Sequence, residues 1–281
     1  MSIAPPSTPS AVPSFRNRFF AHPVMRMVLG VIAALAPVPI TMIVAEILVP
    51  KPLRAGGWPF LLAALMSILS YRRFVRRTES ARALTELSLA GAAREAGGGV
   101  ALGAALGLAV AGLLALAGAF RITGSNDWSI MLRTLPEQAM VAVFEELIFR
   151  AVLFRLIEQR WGTRAGLISS FILFAAAHLP NEGVSLLGVI ITGVAGVTLS
   201  AAYLATRRLW LPIGLHFGWN YLFDGLFAVP VSGHAARGWL QVSMPGPDWL
   251  SGGHYGVEAS AATLLVWAAA PLLLLRRALR K

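Results

Sequence analysis

The chain has 281 residues, of which 57% are hydrophobic and only 13% are charged. This balance excludes an ordinary soluble domain of this length and predicts that the solvent is lipid. The net charge of +11 comes almost wholly from arginines beside the apolar segments, which indicates membrane topology and excludes nucleic acid as the expected partner. The absence of cysteine excludes disulfide bonds, thiolate metal sites and a cysteine nucleophile.

The first 25 residues are rich in proline and serine, and they precede an apolar stretch that is too long for a signal-peptide core. We therefore expect residues 1–25 to form a disordered cytoplasmic tail, followed by a single transmembrane domain at residues 26–281.

Apolar segments that could cross a bilayer recur through this domain, and a full span needs roughly 20 residues. The segments lie at residues 27–49, 58–71, 98–120, 135–157, 165–179, 184–206, 210–228 and 257–275. They predict an all-α fold, a polytopic transmembrane helical bundle of about eight spans. The second and fifth segments are short, so each is either a tilted crossing or a re-entrant piece.

Basic residues orient these spans, because cytoplasmic loops are enriched in arginine and lysine. With the amino terminus inside, the cluster from Arg72 to Arg94 and most other arginines are cytoplasmic. The outer loops then hold only Lys51, Arg54, Arg121, Arg133 and Arg237. Both termini are therefore expected in the cytoplasm. The preference for arginine over lysine indicates a GC-rich genome, and hence a bacterial cytoplasmic membrane.

Residues 79–95 have mixed polarity and predict a helix, either at the cytoplasmic interface or as a solvated linker. No strand signal stands out. Two spans carry small residues at every fourth position, a spacing that lets helices pack closely within one chain or between two, so the oligomeric state stays open. These residues are Gly99, Gly103 and Gly107 in one span and Gly188, Thr192, Gly196 and Ser200 in the other.

The fourth apolar segment contains the sequence FEELIFR, which places Glu145, Glu146 and Arg150 in an apolar helix. Ionisable residues inside a span are functional candidates because their insertion costs about 2.5–3.5 kcal/mol each. Glu146 and Arg150 are one helical turn apart and can form an ion pair. Glu145 lacks that partner, which suits a general base. Alone, the three residues could equally hold helices together.

Two further segments carry histidine. Phe174 and His178 lie four residues apart in the fifth segment, and His216 and Asn220 lie four apart in the seventh. A single histidine of this kind would ordinarily form a hydrogen bond between two helices. Two such histidines together with paired glutamates favour a functional site. Helical rise places Glu145, His178 and His216 roughly 15, 21 and 12 Å from the nearest cytoplasmic arginine. We therefore expect a shared polar cavity that is reached from the cytoplasm.

These residue types suit hydrolysis, with a carboxylate and an imidazole activating water and an imidazole and an amide stabilising an oxyanion. Glu145, His178 and His216 also form the two-histidine, one-glutamate set of catalytic zinc sites. The residues alone therefore leave open a mechanism with one divalent metal, such as zinc, and a mechanism with no cofactor.

The three motifs read EELIFR, FAAAH and HFGWN in this chain. In order and spacing they resemble the EExxxR, FxxxH and HxxxN motifs of the CPBP, or CAAX-type, intramembrane endopeptidases, also called the ABI family. The resemblance covers residues 135–228, the expected protease core. It implies that Glu145 is the base, His178 positions the water, and His216 and Asn220 hold the oxyanion. Support is expected from Glu146, Arg150 and Phe174, whereas Asp224 is expected to be a bystander.

The resemblance also implies a substrate: a peptide or protein with a hydrophobic or lipidated, CAAX-like carboxyl terminus, met among membrane lipids. Two other functions compete with this one. Intramembrane glutamate and histidine could relay protons or bind a cation in a transporter. The same fold could also act as a scaffold or immunity protein that binds a peptide without cutting it.

Overall fold

A computed structural model describes residues 22–79 and 82–279 of the chain. Most of the predicted tail, at residues 1–21, lies outside the described residues. The first helix begins at Pro23, where proline is favoured because its missing N–H would have no helical partner. The last residues of the predicted tail are therefore helical.

The described residues form a helical bundle with one small sheet. In chain order the helices and strands are α1 (Pro23–Leu35), α2 (Pro37–Leu48), α3 (Lys51–Arg54), α4 (Trp58–Thr78), α5 (Ala92–Leu116), β1 (Arg121–Ser125), α6 (Ile130–Glu146), α7 (Arg155–Ala177), α8 (Leu186–Thr206), α9 (Trp210–Tyr221), β2 (Leu240–Ser243), α10 (Asp248–Ser251) and α11 (Ala261–Leu279). Segments of π-helix continue α6 at Leu147–Phe154 and α9 at Leu222–Leu226. The predicted all-α class is confirmed.

Every predicted apolar segment falls on a helix. The joined helices α1 and α2, together with α5 and α8, are long and apolar enough to cross a membrane. Helix α4 has 21 residues, more than the predicted second segment, because its arginine-rich end stays helical. Gly162 interrupts α7 with a φ of 85°, so the fifth segment remains short. The number of about eight spans stays a prediction.

The expectation that no strands occur is wrong at one place. Strand β1 pairs with β2 in an antiparallel sheet that joins the segment before α6 to the segment after α9. A register shift between Ile122 and Gly124 interrupts the pairing. Strands of four and five residues with such an irregularity show too little alternation to be recognised in the sequence.

The glycine stripes pack helices, as predicted. A Cβ atom at Gly99 or Gly103 would collide with backbone carbonyl oxygens of α9, so α5 and α9 touch along their main chains. Gly196 of α8 likewise lies against the carbonyl oxygen of Ser170 in α7. These contacts fix α9 against α5 and α7 against α8, and the candidate motif residues are carried by α7, α9 and the continuous helix of α6 and its π-helical extension.

The predicted helix at residues 79–95 is wrong over most of its length. Among the described residues of this segment, a 3-10 turn at Thr85–Leu87 is the only helical turn before α5. Buried charges hold this segment instead. Glu86 accepts a hydrogen bond of 2.6 Å from the Tyr71 hydroxyl, and Glu79 accepts two bonds of 2.8 Å from Arg155. These long-range ion pairs replace helical hydrogen bonds, and residue spacing does not reveal them.

Candidate active site

The end of α6 carries a buried ion pair. Arg150 Nη1 donates to Glu146 Oε1 at 2.9 Å, and both side chains have no exposed surface. Arg150 Nη2 donates to the Gly196 carbonyl oxygen at 3.1 Å, and its guanidinium lies 4.7 Å from the ring centre of Phe174. The predicted pairing is confirmed. The contacts show that Arg150 joins α6, α7 and α8, because each supplies one of its partners.

Glu146 also orients His216 of α9. The Nδ1 atom of His216 lies 2.9 Å from Glu146 Oε1, and a carboxylate accepts, so Nδ1 carries the hydrogen. This leaves Nε2 facing Glu145, whose Oε2 atom is 3.9 Å away. Oε2 is buried and has no hydrogen-bond partner among the described residues. Glu145 Oε2 therefore has unused accepting capacity on the side that faces His216, and Glu146 Oε2 is also buried without a partner among the described residues.

His178 is the residue that ends α7. Its Nδ1 atom lies 2.8 Å from the Phe174 carbonyl oxygen, so Nδ1 donates and Nε2 of the neutral ring is left as an acceptor. The Phe174 ring packs between two of the motif residues, with centroids 4.7 Å from His178 and 6.3 Å from His216. The phenylalanine of the FAAAH motif therefore restricts the positions of both imidazole rings.

Asn220 follows His216 by one turn of α9 and is buried. It lines a cavity of about 480 Å³ together with Glu145, His178 and His216. The structure therefore brings together all four residues that the sequence named as catalytic candidates. This volume lies within the range of roughly 300–1,000 Å³ that is common for ligand pockets.

The lining of the cavity lies away from the arginine-rich helix ends that the sequence analysis placed in the cytoplasm. Its lining includes Asn181, Ser232 and Arg237, which belong to the segments after α7 and α9. These helix ends lie opposite the arginine-rich ends at Arg155 and Arg208. Helical rise predicts the depth of a residue along its helix, but it does not tell which end of a bundle is open. With the predicted topology, the cavity opens on the extracytoplasmic side.

Asp224 is more than the predicted bystander. It is buried, accepts a hydrogen bond of 2.7 Å from Gln138 Nε2, and lies 3.6 Å from the Arg237 guanidinium. Arg237 also pairs with Glu137 at 2.5 Å. These contacts tie the segment after α9 to α6 at the rim of the cavity. The feature of the sequence that could have indicated this role is the position of Asp224 as an acidic residue inside an apolar segment.

Glu258, which precedes α11, was missed by the motifs. Its carboxylate accepts from Trp219 Nε1 at 2.8 Å and from both the backbone N–H and the hydroxyl of Ser232 at 2.6 Å. Asn181 Nδ2 donates to the Ser232 carbonyl oxygen at 2.9 Å. Glu258 therefore holds the segment after α9 over the candidate site. Its position at the start of an apolar segment could have indicated it.

The predicted metal ligands do not form a metal-binding set in this arrangement. Within residues 22–79 and 82–279, no three side chains of histidine, cysteine, aspartate or glutamate are placed to hold one ion. Glu145 and His216 face each other, but His178 does not complete the set.

Comparison with known proteins gives one match. Residues 127–222 match the family model described as Rce1-like, type II CAAX prenyl endopeptidase. No curated protein and no solved structure matches the chain. The matched residues contain all three motifs and the four candidate catalytic residues, whereas Ser232 and Glu258 lie beyond them. Residues 127–222 are therefore similar to the Rce1-like family of type II CAAX prenyl endopeptidases.

Proposed function

We propose that the protein is an intramembrane endopeptidase that hydrolyses a peptide bond near a hydrophobic or lipidated carboxyl terminus. The observation that carries the proposal is the position of Glu145, whose Oε2 atom lies 3.9 Å from His216 Nε2 in a cavity shared with His178 and Asn220. This oxygen has no hydrogen-bond partner among the described residues. A transporter has no need of this combination of a carboxylate, two imidazoles and an amide.

In the proposed reaction Glu145 takes a proton from water while the water oxygen bonds to the carbonyl carbon. His178 Nε2 accepts from the same water and orients it. The oxyanion that forms receives hydrogen bonds from the Asn220 amide and from His216 in its protonated form. Glu145 then returns its proton to the amide nitrogen as the carbon–nitrogen bond breaks, so that protons balance without a covalent intermediate.

Glu146 and Arg150 have a positioning role in this scheme. Because Glu146 binds His216 Nδ1, the ring can turn only by breaking a buried hydrogen bond of 2.9 Å. Arg150 in turn holds Glu146 and neutralises its charge. The pair therefore keeps His216 Nε2 directed at the reacting atoms.

The test is cleavage of a quenched-fluorescence library of hydrophobic peptides by the purified full chain. We expect Glu145→Gln to lower kcat by about 10²–10⁴-fold, the range for loss of a general base. Glu137→Gln is the matched control, since this carboxylate lines the same cavity near its rim. It should change kcat by less than about threefold, because surface ion pairs contribute about 0–1 kcal/mol.

Further arms of this experiment address the cofactor and the substrate. A strong chelator is added to the wild type, and loss of activity that zinc restores would replace the metal-free scheme by a metallopeptidase. Prenylated and unmodified peptides of one sequence are compared to define the lipid requirement. If wild type and Glu145→Gln both gave only background signal, the peptidase function would be refuted and a scaffold or a cation-coupled transporter would be favoured.

We further propose the bacterial cytoplasmic membrane as the location, with both termini in the cytoplasm. The lopsided distribution of arginine supports this orientation. The proposed site would then receive its substrate from the extracytoplasmic side or from the outer leaflet.

A further inference from the structure

A second, much smaller pocket adjoins the candidate catalytic residues. Its volume is about 30 Å³, and His178, His216 and Asn220 line it as they line the large cavity. The three residues thus form a wall between a large space and a small one. A pocket of this size holds about one or two water-sized groups. A substrate that reacts at this wall therefore has a small pocket on one side and a large cavity on the other.

The far side of the small pocket is mostly apolar and is rigid. Helix α8 contributes Ile191, Ala195 and Leu199 beside Thr192, and α11 contributes Trp267 beside Thr263. Leu199 is 2% exposed, and Gly196 beside it packs on the α7 main chain. Since packed helices cannot separate without losing these contacts, the pocket cannot widen easily for a larger group.

One polar group on this far side has no hydrogen-bond partner among the described residues. Trp267 is 3% exposed, and its Nε1 atom makes no hydrogen bond within the described part of the chain. Its neighbour Trp219, whose ring centre is 4.9 Å away, donates to Glu258 instead. Buried N–H groups are rarely left unbonded. An acceptor on a ligand in the pocket would satisfy Trp267.

We propose that this pocket is the subsite for one of the two residues that flank the scissile bond, and that it admits only small side chains. The inference rests on the proposed peptidase function. Glycine, alanine and serine fit, whereas leucine and phenylalanine do not. Trp267 Nε1 donates to a carbonyl or hydroxyl oxygen of this substrate residue. The bulky or lipidated part of the substrate occupies the large cavity on the other side of the wall.

The experiment uses peptides that vary at each flanking position through glycine, alanine, serine, valine, leucine and phenylalanine, with the cut located by mass spectrometry. For the wild type, kcat/KM should fall at least tenfold from alanine to leucine at one flank only. Leu199→Ala removes part of the far side of the small pocket. In this variant the ratio of kcat/KM for alanine to kcat/KM for leucine should fall below about threefold. Ile190→Ala is the matched control on α8, because Ile190 is 39% exposed and does not line the pocket.

Two further variants guard against loss of folding in Leu199→Ala. Ala195→Val narrows the pocket and should lower kcat/KM for alanine and serine peptides relative to glycine by about tenfold. Trp267→Phe keeps an aromatic ring but removes the Nε1 donor together with the five-membered part of the indole. Its effect should be a three- to tenfold increase in KM with little change in kcat, since the lost hydrogen bond holds the substrate before and during reaction.

The outcomes separate the two proposals. If the wild type cleaves peptides but accepts alanine and leucine equally at both flanks, the subsite is refuted and the peptidase stands. The same holds if the preference for small residues is unchanged in both Leu199→Ala and Ala195→Val. If the wild type cleaves nothing beyond the level of Glu145→Gln, the peptidase fails and the subsite fails with it.

Discussion

Replacing Arg150 by methionine should strongly destabilise the protein. The guanidinium is fully buried, and its ion pair with Glu146 at 2.9 Å is worth about 6 kcal/mol of gross Coulomb energy at an effective dielectric constant of about 20. Desolvation of both groups offsets much of this energy. Removing one partner leaves the other charge buried and uncompensated, which costs about 3–5 kcal/mol. We expect Arg150→Met to lower the free energy of unfolding by that amount.

The double variant Glu146→Gln/Arg150→Met tests whether the uncompensated buried charge causes this loss of stability. It removes both charges, and the introduced glutamine side chain would keep an oxygen that accepts from His216 Nδ1. Its loss of stability should therefore be smaller than the sum of the two single losses by about 2 kcal/mol or more, because each single variant alone strands a charge. Reversible unfolding in mixed detergent micelles, followed by tryptophan fluorescence, measures all three values.

Arg164→Met is the control, because Arg164 is an exposed arginine with no ion pair among the described residues. It should change stability by less than about 0.5 kcal/mol. The reasoning would be refuted if Arg150→Met cost less than about 1 kcal/mol, or if the losses of the two single variants were additive.

Three further predictions concern parts of the fold outside the catalytic motifs. Burial alone would raise the pKa of Glu79, but hydrogen bonds and charge from Arg155 and Arg26 outweigh it and lower this pKa. The stabilisation is therefore complete above the unfolded value of about 4.3 and is lost as the pH falls through the lower folded value. Between pH 6 and pH 3 the thermal stability of Glu79→Gln should fall less than that of the wild type. Equal losses of thermal stability would contradict the ion-pair network. A Cβ at Gly103 would strike the α9 main chain, so Gly103→Val should abolish folded protein in detergent. Gly112 meets nothing within 4 Å, so Gly112→Ala should be neutral or stabilise by roughly 0.5–1 kcal/mol. Because the chain lacks cysteine, Arg237→Cys and Arg73→Cys can each be labelled in intact cells with an impermeant maleimide. Labelling at 237 but not at 73 is expected, and the reverse would overturn the extracytoplasmic opening of the cavity.

Local patterns in the sequence were enough to predict the helices and one side-chain contact, the ion pair of Glu146 and Arg150. The apolar segments predicted the bundle, and the spacing of Glu146 and Arg150 predicted their ion pair, because residues four apart on a helix are neighbours whatever surrounds them. The glycine stripe of α5 predicted close helix contact for the same reason. Helix ends were less predictable. Basic residues extend α4 beyond its apolar part, and Gly162 breaks a helix that composition alone would continue.

Contacts between distant residues were not predictable. His216 and Glu146 are 70 residues apart, and nothing in either motif shows that Nδ1 of one binds Oε1 of the other. The contacts of Glu258 with Ser232 and Trp219 join segments that have no shared pattern. The sheet of β1 and β2 depends on two short strands that become partners only when α6 and α9 are packed.

The sequence by itself predicted that this chain is helical and lies in a membrane, that four polar candidate residues belong to apolar segments, and which family their motifs resemble. These properties depend on hydropathy and on helical spacing, which act over a few residues. Only the tertiary structure decided which glutamate pairs with His216, which end of the bundle is open, and that the catalytic candidates separate a large cavity from a small one. Those features arise where side chains from separate helices meet, and their free energy depends on packing between helices that one-dimensional patterns do not record.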